Sequence, residues 1–204
     1  LPEKPSLPAA GAADWMTDFG LSAADRSGTP LGAILCALWI TGILFASIRL
    51  FTSFFHLHTI RKSALPLQSP LVRSLYGKCL GEMKIRSPLP LYGTAFLSSP
   101  MLAGVFRPCI YLPLRLVSDL HAGSLGEKEL RFMLLHELQH FKHRDLIANI
   151  WINLAYVLYW FNPIVRYALK EMRSDREIAC DASVLQTLCE EDYRDYGNTL
   201  INYA

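Results

Sequence analysis

The sequence lacks the closely paired cysteines that build many small metal sites and disulfide scaffolds. Its five cysteines, Cys36, Cys79, Cys109, Cys180 and Cys189, show no CxxC spacing. An odd number of them among apolar neighbours points to buried, reduced thiols in a cytoplasmic setting. A signal-like start is missing too. Residues 1 to 15 read LPEKPSLPAAGAADW, Pro/Ala-rich and without an initiator methionine, as expected of an internal stretch of a longer chain. Net charge is small, at +2, and gives no reason to expect direct nucleic-acid contact. What is abundant is apolar: 51% of the 204 residues.

Charge is wholly absent from residues 31 to 48, LGAILCALWITGILFASI. A membrane span needs about 17 to 25 residues of this kind. A run so apolar on every face is unusual for a core helix of a small domain, so residues 31–55 are read as a transmembrane helix. Ahead of it stand Glu3, Asp14, Asp18 and Asp25 against Lys4 and Arg26. Behind it, Arg49, Arg61, Lys62, Arg73 and Lys78 precede the first acid, Glu82. Basic flanks stay on the cytoplasmic side. Residues 1–30 are then an extracellular loop or linker, and residues 56–204 a cytoplasmic domain.

That domain opens with a helix. Ser69 is placed to cap it, Pro70 suits its first turn, and Leu71, Leu75, Cys79 and Met83 recur at helical spacing. Residues 88 to 113, PLPLYGTAFLSSPMLAGVFRPCIYLP, are short apolar runs broken by Pro, Gly and Ser. They predict two or three strands in a small antiparallel sheet, with Pro108 demoting the last to an edge. An exposed edge can take an extended peptide as a further strand, although a plain structural hairpin explains the segment equally well.

The segment SLGEKELRFMLLHELQHF carries the chemistry. Ser124 stands three residues before Glu127, a capping-box pattern for a helix start. His136 and His140 follow one turn apart and project from one face. Two imidazoles so placed can fill two corners of a zinc tetrahedron. Glu137 beside them can take a proton from a water and later deliver it to a leaving amine. The competing account is a surface helix with spare histidines, and a third ligand decides between the two. Glu177 and Asp181, four apart on a later helix, supply a candidate: the longer Glu reaches a metal, and the Asp suits a ligand histidine's other ring nitrogen. Taken alone, that pair also reads as a solvated face salt-bridged to Arg173 and Arg176.

From Leu146 to Val165 no residue is charged. A second full crossing would part Glu177 from His136, and both flanks are basic, so a helical hairpin turning at WFNP (160–163) is expected. At 1.5 Å per residue, Glu177 lies about 21 Å back from Pro163 and His140 about 30 Å before Trp160. The chain must therefore bend between Lys142 and Asp145. The hairpin tip, with Tyr159 and Trp160, is expected to dip into the bilayer.

The blocks HELQH, WFNP and DREIACD in that order resemble the BlaR/MecR-type membrane zinc metallopeptidases, as does the upstream SSPMLAGVFRPCIYLP. The resemblance covers roughly residues 88 to 204. It implies Zn2+ bound by His136, His140 and Glu177, Glu137 as catalytic base and Asp181 behind the ligands. It further implies a mainly α fold with a small antiparallel β element, a gluzincin-like HExxH core attached to a transmembrane helix. The expected activity is that of a multi-pass cell-membrane endopeptidase in transmembrane signalling, catalytic part towards the cytoplasm, acting on a protein substrate or on itself. Receptor-type members sense β-lactams and induce resistance, but no S-x-x-K set for such a sensor stands in this sequence. Partners are thus a peptide substrate and the lipid membrane, with a homo-oligomer compatible. His143, Arg144 and Tyr167 are the candidates for holding the oxyanion. The competing functions are an inactive signalling receptor of the same fold and a membrane zinc sensor. Glu137 argues against the first, since binding alone has no use for that acid; the sensor predicts reversible zinc binding and no effect of Glu137→Gln on function.

Overall fold

The computed structural model describes residues 30–203. The extracellular assignment of the stretch ahead of the first helix falls outside these residues. The chain divides into two compact units, Leu1–Leu44 and Phe45–Ala204.

Helix α1, Pro30–Ser63, runs past residue 55 to the end of the basic segment. It is the one described helix long and apolar enough to cross a membrane. Most of its leucines, isoleucines and phenylalanines are exposed: Leu31, Leu38, Phe45 and Phe54 each show 60–64% of their surface. Among the described residues no face covers these four side chains.

The second unit is built around one helix. Strand β1 (Leu65–Pro66) leads to α2 (Pro70–Glu82), then β2 (Leu91–Thr94), β3 (Met101–Ala103) and β4 (Cys109–Pro113). Helices α3 (Leu114–Ala122), α4 (Glu127–His143), α5 (Asp145–Leu158) and α6 (Pro163–Leu185) follow, then a 3-10 turn at Glu190–Asp192 and α7 (Tyr193–Tyr203). Leu130, Phe132, Leu134, Leu135 and Leu138 of α4 are fully buried. They pack with Val72, Leu75 and Cys79 of α2, Ile110 and Leu112 of β4, Val184 of α6 and Tyr196 of α7. The helix carrying the histidines is therefore the hub of the core.

The sheet is mixed, not antiparallel, with order β1-β2-β4-β3. The tight β3–β4 hairpin makes that pair antiparallel, and β2 lies parallel to β4 on its other side. Pro108 precedes β4 without demoting it: β4 is central and buried along its length. The outer strands are β1 and β3.

Local starts also differ from the pattern. Ser69 makes no cap bond to α2 and instead meets His121 Nε2 at 3.3 Å. Helix α4 begins beyond Ser124, where the Gly126 N–H donates to Glu129 Oε2 at 2.8 Å. Ser124 donates instead to the Asp119 carbonyl, closing α3. Of the cysteines, Cys79, Cys109 and Cys180 are buried and all five are free, but Cys36 and Cys189 are exposed.

The bend lies where the distances require it. Arg144 adopts the left-handed conformation, φ 60°, between α4 and α5. Asn162 caps α6, its Oδ1 accepting from Ile164 N and Val165 N, with Pro163 in the first turn. Arg173 donates to Asn153 Oδ1 at 3.0 Å, and Arg176 to Asn149 Oδ1 at 2.9 Å and the Asp145 carbonyl at 3.3 Å. These bonds tie α5 and α6 into an antiparallel hairpin. Both arginines are thus spent across the hairpin and are not salt-bridge partners of Glu177 or Asp181.

Candidate metal centre

Helical spacing on α4 brings His136 Nε2 and His140 Nε2 to 3.0 Å, with their rings perpendicular. The α5–α6 hairpin returns Glu177 to the same point. Its Oε2 lies 3.3 Å from His140 Nε2 and 3.7 Å from His136 Nε2. Three donor atoms from two helices thus form a small triangle. A tetrahedral zinc with bonds of about 2.0 to 2.1 Å requires ligand atoms about 3.3 Å apart.

The other ring nitrogens fix the tautomers. His140 Nδ1 meets Asp145 Oδ2 at 2.6 Å. His136 Nδ1 meets Asp181 Oδ1 at 3.0 Å, and Tyr196 Oη donates to the same oxygen at 2.8 Å. With a carboxylate at each Nδ1, that nitrogen carries the proton and each Nε2 presents a lone pair. Two lone pairs and a carboxylate oxygen pointed at one spot repel one another unless a cation lies between them. The donor set therefore fits a zinc ion. Burial and the neighbouring His140 lower the His136 pKa, keeping the ring in the neutral form a metal needs.

Glu137 stands against β3. The Leu102 N–H donates to its Oε2 at 2.7 Å. Burial raises its carboxyl above the usual range, opposed by His140 and by the Leu102 bond. A cleft of about 210 Å³ joins Met101 and Leu102 of β3 to Glu137, His140, Asn149 and Glu177.

Cys180 forms a second grouping, its ligand atom within 4.8 Å of those of His136 and His140. The thiol faces the other side of the ring: Sγ is 3.9 Å from His136 Nδ1 and donates to the His136 carbonyl at 3.5 Å. Burial raises its pKa, so it stays a thiol.

All five residues singled out by spacing, His136, Glu137, His140, Glu177 and Asp181, thus meet at one place. The suggested oxyanion donors do not. His143 bonds Gln139, Arg144 forms the helix break and Tyr167 is exposed; none of them lines the cleft. Arg176 does line it, and its Nε is a buried nitrogen without a hydrogen-bond partner. Sequence reading also missed Asp145 and Tyr196. Asp145 has a signal in retrospect, an acid at the bend immediately after the second histidine. Tyr196 has none, because only tertiary packing brings it back.

A family model described as BlaR1 peptidase M56 matches residues 22–204. The chain belongs to this family. It is 31% identical over 94% of its length to the regulatory protein BlaR1 of Bacillus licheniformis, covering 31% of that protein. It is 25% identical over 82% of its length to the methicillin resistance mecR1 protein of Staphylococcus aureus, covering 28% of it. The chain therefore spans about a third of the length of these relatives.

Proposed function

We propose that this chain is the zinc endopeptidase portion of an integral membrane signalling protein. The supporting observation is the His136–His140–Glu177 triangle, with edges of 3.0, 3.3 and 3.7 Å. His136, His140 and Glu177 hold the metal; Asp145 and Asp181 orient the two rings and strengthen them as donors. When bound there, zinc supplies Lewis acidity towards a water and towards the scissile carbonyl.

The protein's own residues do the rest. Glu137 Oε2 is fixed by Leu102, which leaves Oε1 to accept the proton of the attacking water and pass it to the leaving amine. Its raised pKa suits both halves of that task. The substrate binds extended along β3, through main-chain bonds of the kind an added strand makes. It is a protein, and the chain's own polypeptide qualifies. Helix α1 spans the membrane and the basic segment at its end keeps the peptidase on the cytoplasmic side. The hairpin tip at Tyr159 and Trp160 enters the bilayer. The mecR1 relative's name extends the reading to a signalling role in methicillin resistance.

The test is zinc per chain in detergent-purified protein, with self-cleavage assayed alongside. Wild type is expected to hold one zinc, Glu177→Ala to lose it, and Cys180→Ser to keep it. Glu137→Gln is expected to keep zinc while cleavage stops. Zinc lost with Cys180→Ser but retained with Glu177→Ala would replace the third ligand. Function that survives Glu137→Gln would replace the enzyme with a metal sensor.

A further inference from the structure

Glu82 is the one acid between Arg26 and Ser118. The last turns of α1 and the whole sheet therefore form a surface of a single sign. Within the 45–204 unit, a groove of about 440 Å³ opens there, between α1 and the β3–β4 hairpin. Phe54, Leu57 and Phe106 give it apolar walls; His58, Arg61 and Arg107 give it a cationic rim. None of its lining residues is acidic.

Phe106 is 97% exposed, yet the turn that carries it is fixed. Gly104 has φ 98°, and a Cβ there would collide with the Arg107 carbonyl. Across the turn, Cys109 Sγ donates to the Ala103 carbonyl at 3.4 Å. On the other wall, Ile60 is buried against Ala103, Cys109 and Tyr111, so the two sides of the groove hold their spacing. A rigid turn thus presents a phenylalanine to the outside, and Phe51, Phe54 and Phe55 of α1 extend the same patch. Exposed phenylalanines bury into the headgroup–acyl boundary of a bilayer, arginine binds phosphate oxygens in pairs, and an anionic leaflet attracts nearby cations. An acidic peptide would satisfy the arginines but give the exposed phenylalanines no apolar phase.

We propose that this groove binds one anionic phospholipid, its phosphate on Arg61 and Arg107 and an acyl chain along Phe54, Leu57 and Phe106. The site rests on the reading of α1 as a membrane span. Its wall continues from Ala103 into Leu102, whose N–H holds Glu137. Lipid in the groove therefore steadies the strand that positions the general base.

The experiment is native mass spectrometry of the detergent-purified protein titrated with phosphatidylglycerol, phosphatidylcholine or inorganic phosphate. Wild type is expected to retain one phosphatidylglycerol in preference to phosphatidylcholine. One basic residue at an anionic surface is worth about fivefold, so the Arg61→Gln/Arg107→Gln double variant should lose about 25-fold in that retention. Lys84→Gln/Arg86→Gln makes the same charge change at exposed positions outside the groove and should bind as wild type does. Phe106→Ser should weaken retention of both lipids. Equal retention of the two lipids by wild type overturns the site, as does an equal loss in both double variants. Displacement by millimolar phosphate without regard to acyl-chain length reassigns the groove to a free anion and also overturns it. Zinc content checks that each variant is folded. Alkaline extraction of membranes separates the two readings: wild type released into solution defeats both, whereas wild type retained without lipid preference defeats the lipid site alone.

Discussion

Replacing Asp145 by Asn tests the metal centre without touching a ligand. The Asp145 carboxylate lies 2.6 Å from His140 Nδ1, and its side chain is only 10% exposed. Asn is nearly isosteric and still offers an oxygen to the Nδ1 proton, so the ring keeps its orientation and loses only the negative charge behind it. Losing such a partner costs about 10- to 100-fold in metal affinity, or about 1.4 to 2.7 kcal/mol at 1.36 kcal/mol per decade. Asp145 also opens α5, where a negative charge is worth about 0.3 to 1 kcal/mol against the helix dipole. A small loss of stability is therefore expected in metal-free protein as well. Competition against a chromophoric zinc chelator measures the first effect, and a melt of the metal-stripped protein measures the second. If Asp145→Asn binds zinc within twofold of wild type while Glu177→Ala abolishes binding, the argument from ring polarisation is wrong.

Three further outcomes follow from the same geometry. Tyr196→Phe removes the hydroxyl that Asp181 shares with His136; zinc affinity should fall by less than in Asp181→Asn, read by the same competition. Leu134→Ala opens a cavity at the centre of the core, where Leu134 is fully buried, and should cost about 2 to 5 kcal/mol in denaturant unfolding. The bond from Lys128 depresses the Asp192 pKa below its ordinary 3.8. Its stabilising effect is present above 3.8 and is lost as pH falls from there through the depressed value. Asp192→Asn should accordingly lower the melting temperature slightly above pH 3.8 and flatten its acid limb, the variant and wild type converging below the depressed value.

The metal site was the most legible part of the sequence because its chemistry is local. His136, Glu137 and His140 share two turns of one helix, and the hairpin geometry that returns Glu177 follows from residue counts. The bend at Arg144 was likewise forced by lengths that do not match. Strand order was not legible. Pro108 marks where β4 begins, but which strand lies outermost depends on how β2 docks, a tertiary contact without a periodic signature. The caps failed for a related reason: Ser69 and Ser124 have the right side chains, yet His121 and the Asp119 carbonyl compete for them. Tyr196 reaches the site from a distant helix by packing alone, whereas Arg176, next to Glu177, lines the cleft where the pattern suggested only a surface salt bridge.

The left-handed residue at Arg144 has a mechanical consequence. In an unbroken helix, a residue five positions after His140 would point about 140° away from it around the axis. The kink alone turns Asp145 back to the ring it serves. The joint between α4 and α5 is therefore also the joint between imidazole and carboxylate, and any pull on the hairpin that straightens it weakens the grip on the metal.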